Sequence, residues 1–311
     1  MRVIFINGHA RSGTTWLGKM LSLCDGVHYL FEPFSSNFKP FTGINAQDIV
    51  KRIRWTNLDK GRKFDWDFLD NQFFIRNGKN QYCEAYKDIL RDHINKFINN
   101  VSADTLIIKQ PRIEAHGLFC SVFSDCEFTS LFLDRCNYGV IDSHSSGMYW
   151  DWVYEDWALY ENSLKNDSSI FLLKGRRPWA LLNELVNQRR DFLEHMVRED
   201  MDAFSITYEE ICRDQEVIFN LIDQMGLILK NDARTEILRF YSVSNRGDGH
   251  MMELKRVPNE QAFRWRSNLP RQILRDFNFP EGASGLNWIE SIKWDIRFQL
   301  YCYKRSRRGM V

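Results

Sequence analysis

The chain has 311 residues, enough for one large domain with a substantial core. Its 42 Lys and Arg against 41 Asp and Glu leave a net charge of +1, which excludes the globally basic character of a nucleic-acid binder. No apolar stretch approaches the ~20 residues that a membrane span needs. Seven scattered cysteines, with no Cys-x-x-Cys pair and no Cys/His spacing suited to zinc, read as reduced thiols of a cytosolic compartment. Ten Trp suit sugar-stacking surfaces or, more plainly, a well-filled core. The basic run Lys304 to Arg308 reads as a solvated tail. No repeat or low-complexity linker divides the chain, so residues 1–311 are expected to form a single domain.

In chain order, Val3, Ile4, Phe5 and Ile6 predict a short buried strand. Gly8 and Gly13 bracket a tight turn, and Trp16 to Leu23 predicts a helix with Leu17, Met20 and Leu21 on one face. Strand, glycine loop and helix N-terminus together aim backbone N–H groups at an anion. The Gly8-x4-Gly13 spacing fits a phosphate loop. Thr14, however, stands where the nucleotide-hydrolysing type needs Lys, and the nearest loop cation is Arg11. The loop therefore predicts a phosphate cradle that is not an ordinary ATPase site. Val27 to Phe31 predicts a second strand. Pro33 disfavours helical geometry at Glu32, leaving that carboxylate in extended backbone just past the strand. Sites of open parallel sheets collect at strand carboxyl ends, which puts Glu32 beside the phosphate loop; a solvent-exposed loop Glu is the plain alternative. A helix is expected around Ala46 to Arg54. Another is expected over Glu84 to Asn99, where Ile89, Leu90, Ile94, Phe97 and Ile98 have helical spacing and His93 is a surface or packing residue.

Thr105 to Lys109 predicts another buried strand, ending in Lys109-Gln110-Pro111-Arg112. Phe128 to Leu133 predicts a further core strand, followed by Asp134-Arg135-Cys136-Asn137 and, eight residues after Arg135, by Ser143 in the next helix. A guanidinium that forks onto a phosphate, with a helical hydroxyl as an added donor, is sound phosphate chemistry. Met148 to Trp157 is aromatic and acidic, and reads either as the lining of an acceptor cleft or as an amphipathic helix with its Trp residues in the core. Ile170 to Leu173 is a short apolar run before the cluster Lys174-Gly175-Arg176-Arg177, which faces an anionic acceptor or solvent. Pro178 starts a long helix to about Arg198. Phe204 to Tyr208 predicts a strand, and Val217 to Met225 a helix that Gly226 caps. Ser242 to Arg266 reads as loop and includes Lys255 and Arg256. Leu131-Phe132-Leu133-Asp134 also matches the apolar run whose terminal Asp holds Mg²⁺ in P-loop phosphotransferases and kinases. In that alternative Asp134 is a metal ligand and the substrate is Mg-ATP, although Gly13 lacks the following Lys.

Arg11-Ser12-Gly13-Thr14-Thr15-Trp16 resembles the 5′-phosphosulfate loop of sulfotransferases that use 3′-phosphoadenosine 5′-phosphosulfate (PAPS). Tyr29-Leu30-Phe31-Glu32-Pro33 is similar to the element that follows it in the carbohydrate branch. The resemblance implies an α/β fold, a P-loop-like three-layer sandwich with a central parallel sheet between helices. It implies PAPS as co-substrate, the 3′,5′-diphosphate (PAP) as product, and no metal. Glu32 would be the catalytic base; the histidine that serves the cytosolic branch is replaced here by Pro111. Lys109 matches the family's transition-state lysine, with Arg11 assisting and Ser12, Gly13, Thr14 and Thr15 around the 5′-phosphate. Trp16 and Tyr208 would reach the adenine. Arg135 and Ser143 match the 3′-phosphate motif, although the usual Pro is absent from Arg135-Cys136-Asn137. Phe263-Arg264-Trp265 resembles the C-terminal nucleotide-covering loop, within a less regular segment at about 242–270, and nominates Arg264 as a further phosphate contact. The acceptor implied is a glycan or glycolipid hydroxyl, with a tyrosyl or small-molecule acceptor as the alternative. Golgi relatives carry an N-terminal anchor; a chain that starts on its first strand is expected to be a soluble, cytoplasmic, bacterial-type enzyme unless such an anchor precedes it.

Overall fold

The five runs expected as strands form one sheet in the computed structural model. The structure describes residues 1–31, 103–109, 120, 123–150, 153, 177–199, 203–242, 258–278, 280–281 and 283–307. Strands β1 (Arg2–Gly8), β2 (Val27–Phe31), β3 (Thr105–Lys109), β4 (Glu127–Asp134) and β5 (Ala203–Thr207) lie in the order β2-β3-β1-β4-β5. Every pairing is parallel. Val3, Ile4, Phe5 and Ile6 are fully buried, as a central strand with both faces covered requires. The expected α/β architecture, a parallel sheet between helices, is therefore the one observed.

Alternation along the strands builds the two faces. Ile4, Ile6, Ile107, Leu131, Leu133 and Ile206 join one core with Leu17 and Met20 of helix α1 (Thr14–Leu21). On the other face Phe5 stacks on Phe128, which stacks on Phe123. Helices α2 (Asn137–Gly147) and α3 (Pro178–Glu199) contribute to a second core around Trp150, Trp179, Trp265 and Trp294. Trp150 is thus a core residue; Trp152 and Trp157 of the same stretch lie outside the described residues.

The strand order carries the functional consequence. From β1 the chain goes out to β2 and in to β3 on one side, and then crosses to β4 on the other side. The loop after β1 therefore opens at the point where winding reverses, where the sheet leaves a crevice at its carboxyl end.

Two sequence expectations need correction. Tyr208 does not end β5; it opens helix α4 (Tyr208–Arg213). The cause is local. Thr207 accepts from the Glu210 backbone N–H while Glu210 reaches back to the Thr207 N–H, a reciprocal box that starts a helix. Helices α5 (Glu216–Gln224) and α6 (Ala233–Ser242) follow. The segment expected as loop up to Arg266 holds two short helices, α7 (Pro258–Phe263) and α8 (Trp265–Asn268). Pro258 begins the first, where its missing N–H costs nothing. Helices α9 (Arg271–Asp276) and α10 (Trp288–Arg307) complete the described chain. Among the described residues no helix is long and apolar enough to cross a membrane. The helices expected at Ala46 to Arg54 and Glu84 to Asn99, and the run Ile170 to Leu173, lie outside the described residues.

Candidate active site

The loop between β1 and α1 is held in a strained form. Arg11 has φ 75° and Gly13 φ 100°, both left-handed. A non-glycine residue held there costs ~1–3 kcal/mol, a cost that clusters at ligand clamps. Gly13 has a second constraint. A Cβ at that position would lie 2.4 Å from the Tyr208 ring, so only glycine lets the loop rest on that ring. Gly13→Ala should destabilise the fold by at least ~1–3 kcal/mol, read as a lower midpoint in urea; an unchanged midpoint would show that the loop does not rest there.

Gly13 supplies no side-chain cap to α1, and its carbonyl already accepts from Trp16 and Leu17. Of the first four N–H groups of the helix this leaves those of Thr14 and Thr15, for which an anion is a natural partner. Ser12 is fully buried, and its hydroxyl has no hydrogen-bond partner among the described residues. A buried hydroxyl in that condition is costly and fits a site completed by a ligand oxygen. Thr14 is buried beside it and Thr15 is half-buried.

Two residues far away in sequence close onto this loop. Arg135, just past β4, donates from Nη1 to the Arg11 carbonyl at 2.9 Å. The Arg11 Nε donates to the Ser143 hydroxyl of α2 at 2.9 Å. The Tyr208 ring lies 4.5 Å below the Arg135 guanidinium, a cation–π distance. Trp16 meets Tyr208 and Tyr241 edge-on at 6.1 and 6.0 Å. Six of the residues nominated from sequence, Arg11, Gly13, Trp16, Arg135, Ser143 and Tyr208, are therefore joined by direct contact.

The cluster itself holds two guanidiniums, Arg11 and Arg135, with the Glu209 carboxylate at the turn beside them. Burial, and then the neighbouring Glu209, push the Cys136 thiol up to about 12. Burial pushes Cys212 up to about 12 as well. Both are neutral thiols near pH 7, so neither offsets Arg135. Burial also raises the Tyr208 phenol above its ordinary value, leaving it a neutral donor.

Sequence reasoning missed the groups that hold Arg135 in place. Arg190 of α3 donates to both Asp134 oxygens, at 2.7 and 3.3 Å. Its Nη2 also reaches the Arg135 carbonyl at 3.1 Å and the Asn137 side chain at 2.9 Å. Glu209 accepts from the Cys136 N–H at 3.2 Å. This clamp fixes the turn over Arg135, Cys136 and Asn137. It also bears on the metal alternative, because both Asp134 oxygens accept from Arg190 and a cation there would have to displace the guanidinium.

Arg264 lies against α2. Its Nε and Nη2 are 2.8 and 2.7 Å from one oxygen of Asp142, a carboxylate with no exposure at all. The residue nominated as a phosphate contact is thus anchored to the neighbour of Ser143. Lys109 is buried at the end of β3, with its Nζ 4.9 Å from the Phe31 ring centroid. The register pairs Lys109 with Ile6 on one side and with Phe31 on the other. Glu32 is the next residue after Phe31 in the chain; it lies outside the described residues, as do Pro111, Arg112, Lys255 and Arg256.

No family model and no curated protein matches this chain. Among solved structures it is similar to the sulfotransferase domain of the Synechococcus PCC 7002 olefin synthase, at 16% identity and TM-score 0.46, covering 89% of this chain and 94% of that one. It is also similar to the sulfotransferase domain from the curacin biosynthetic pathway, at 14% identity and TM-score 0.48, covering 89% and 97%. Sulfotransferase STF1 from Mycobacterium tuberculosis H37Rv is a more distant likeness, at 14% identity and TM-score 0.35, covering 76% and 70%. At such identities and scores these remain likenesses and say nothing of a substrate.

Proposed function

We propose that the chain is a single-domain, PAPS-dependent sulfotransferase that places a sulfuryl group on a hydroxyl of a glycan or glycolipid. The observation that carries this reading is the closure of Arg135 and Ser143 onto Arg11. The loop that resembles a 5′-phosphosulfate cradle and the pair that resembles a 3′-phosphate motif meet in one place, as a nucleotide with phosphate at both ends of its ribose requires.

The residues present fit that nucleotide. The buried Ser12 hydroxyl and the N-terminus of α1 suit the 5′ end. Arg135 and Ser143 suit the 3′-phosphate, with Arg264 beside them, and Trp16 and Tyr208 offer aromatic surface for adenine. In the proposed reaction the acceptor oxygen bonds to sulfur as the sulfur–oxygen bond to the 5′-phosphate breaks. Glu32 takes the acceptor proton, which requires hydrogen-bond reach as much as a suitable pKa. Lys109 and Arg11 stabilise the negative charge that grows on the departing phosphate oxygen. The acceptor class rests on the Leu30-Phe31-Glu32-Pro33 element.

Arg135→Ala should weaken PAP by ~1.5–3 kcal/mol, the range for hydrogen bonds to charged groups. Titration calorimetry checks this, and unchanged affinity would remove Arg135 from the site. The reading as a whole is tested by incubating the chain with sulfur-labelled PAPS and a panel of glycans, glycolipids and tyrosyl peptides. Label on a carbohydrate hydroxyl supports it, label on tyrosine overturns the acceptor class, and no label on any of them overturns the transferase.

A further inference from the structure

Helix α10 has two apolar faces. One packs Trp294 and Phe298 into the core, with ring centroids 5.8 and 5.3 Å from Trp179. The other consists of Trp288, Ile289, Ile292, Ile296, Leu300 and Tyr303. At 3.6 residues per turn these six share an arc of roughly 120°. Five of them are 54–70% exposed and Ile292 is 38% exposed. A surface helix ordinarily turns charge outward; an apolar stripe along a helix roughly 30 Å long marks an interaction surface.

Charge identifies what it meets. Exposed Lys293 lies along one edge of the stripe with exposed Arg297 beyond it, Asp295 lies along the other edge, and the run Lys304 to Arg308 follows it. Residues 288–311 hold six Lys and Arg against two Asp and Glu; the rest of the chain holds 36 against 39. The net +1 of the protein is therefore +4 on its last 24 residues and −3 on the remainder. Pairing this face with a second copy would bring two such +4 segments together, whereas an anionic leaflet complements them.

We propose that α10 docks the protein on an anionic lipid bilayer. The helix lies in the plane of the interface, with the stripe at the acyl boundary and the basic border and tail among the headgroups. Trp288 and Tyr303 sit at the two ends of the stripe, where rings with one polar edge suit headgroup depth. The run that reads as a solvated tail in sequence thereby gains a partner. The proposal goes beyond sulfuryl transfer and holds whether or not that reading does.

Co-sedimentation of the full chain with phosphatidylcholine vesicles, with and without phosphatidylglycerol as a quarter of the lipid, tests it. The chain should pellet at least tenfold more tightly with the anionic vesicles at low salt. The variant Ile296→Asp/Leu300→Asp should weaken that binding at least tenfold, while its melting temperature and its PAP affinity in solution stay those of the parent. Absence of pelleting with anionic vesicles, or equal pelleting of the double variant, overturns the proposal. So does a concentration-dependent dimer in light scattering that the double variant abolishes. Failure of the nucleotide reading would appear only in the vesicle-free titration.

Discussion

Glu32→Gln is expected to lower turnover by ~10²–10⁴-fold, the contribution of a positioned general base. Its effect on PAP affinity should be negligible. The two outcomes separate because the proposed nucleotide contacts come from elsewhere, the loop after β1 with Trp16 of α1, the turn after β4, helix α2, Tyr208 and Arg264, and none of them needs a carboxylate at position 32. Gln keeps the size of Glu and its hydrogen-bonding shape, so a loss confined to turnover reports the proton acceptor. Lys109 offers an internal comparison. Lys109→Met should also lower turnover, but without the change in pH profile that removing a base produces. Single-turnover measurements with a sulfated product read both variants, and wild-type turnover in Glu32→Gln would remove it as the base.

Arg264→Met should destabilise the fold by ~3 kcal/mol, the low end for a buried ion pair that loses one partner. The asymmetry of the pair sets this figure. The Asp142 side chain has no exposure while Arg264 is 27% exposed, so removing the cation strands a carboxylate that water cannot reach. A hydroxyl from Ser146 at 3.5 Å is a weak substitute. Asp142→Asn in the Arg264→Met background removes the stranded charge and should recover most of the loss. Urea unfolding reads both steps, and near-parental stability of Arg264→Met would show that the pair does not hold α8 to α2. The double variant also separates two roles. Recovered stability with weakened PAP makes Arg264 a nucleotide contact as well as an anchor, and recovered affinity makes it an anchor only.

The sheet was legible because its strands are short apolar runs that few other structures accommodate. Val3 to Ile6 and Thr105 to Lys109 are buried all along their length, so local composition alone identifies them. Arg135 and Ser143 were nominated by the resemblance, whose 3′-phosphate motif has this eight-residue spacing after a strand; the spacing alone carries little. The misplaced Tyr208 is a different case. The Thr207-x-x-Glu210 box was present in sequence, but the apolar alternation of Phe204 to Thr207 masked it. The clamp of Arg190 on Asp134 and the pair Asp142–Arg264 could not be read at all. Their partners are 56 and 122 residues apart, and no local pattern marks which arginine meets which carboxylate. Asp134 shows the cost, since the same Leu-Phe-Leu-Asp run serves a metal ligand or an ion-pair partner and only the fold distinguishes them.

Titration of the purified full chain with 3′,5′-diphosphoadenosine in EDTA, set against ATP with and without Mg²⁺, tests the central claim most directly. Tight, metal-independent binding of the diphosphate with weak binding of ATP is the expected result, since Arg135, Ser143 and the loop after β1 supply the protein's own charge and donors for two separated phosphates. Binding of Mg-ATP alone would contradict it and make Asp134 the centre of a phosphotransferase.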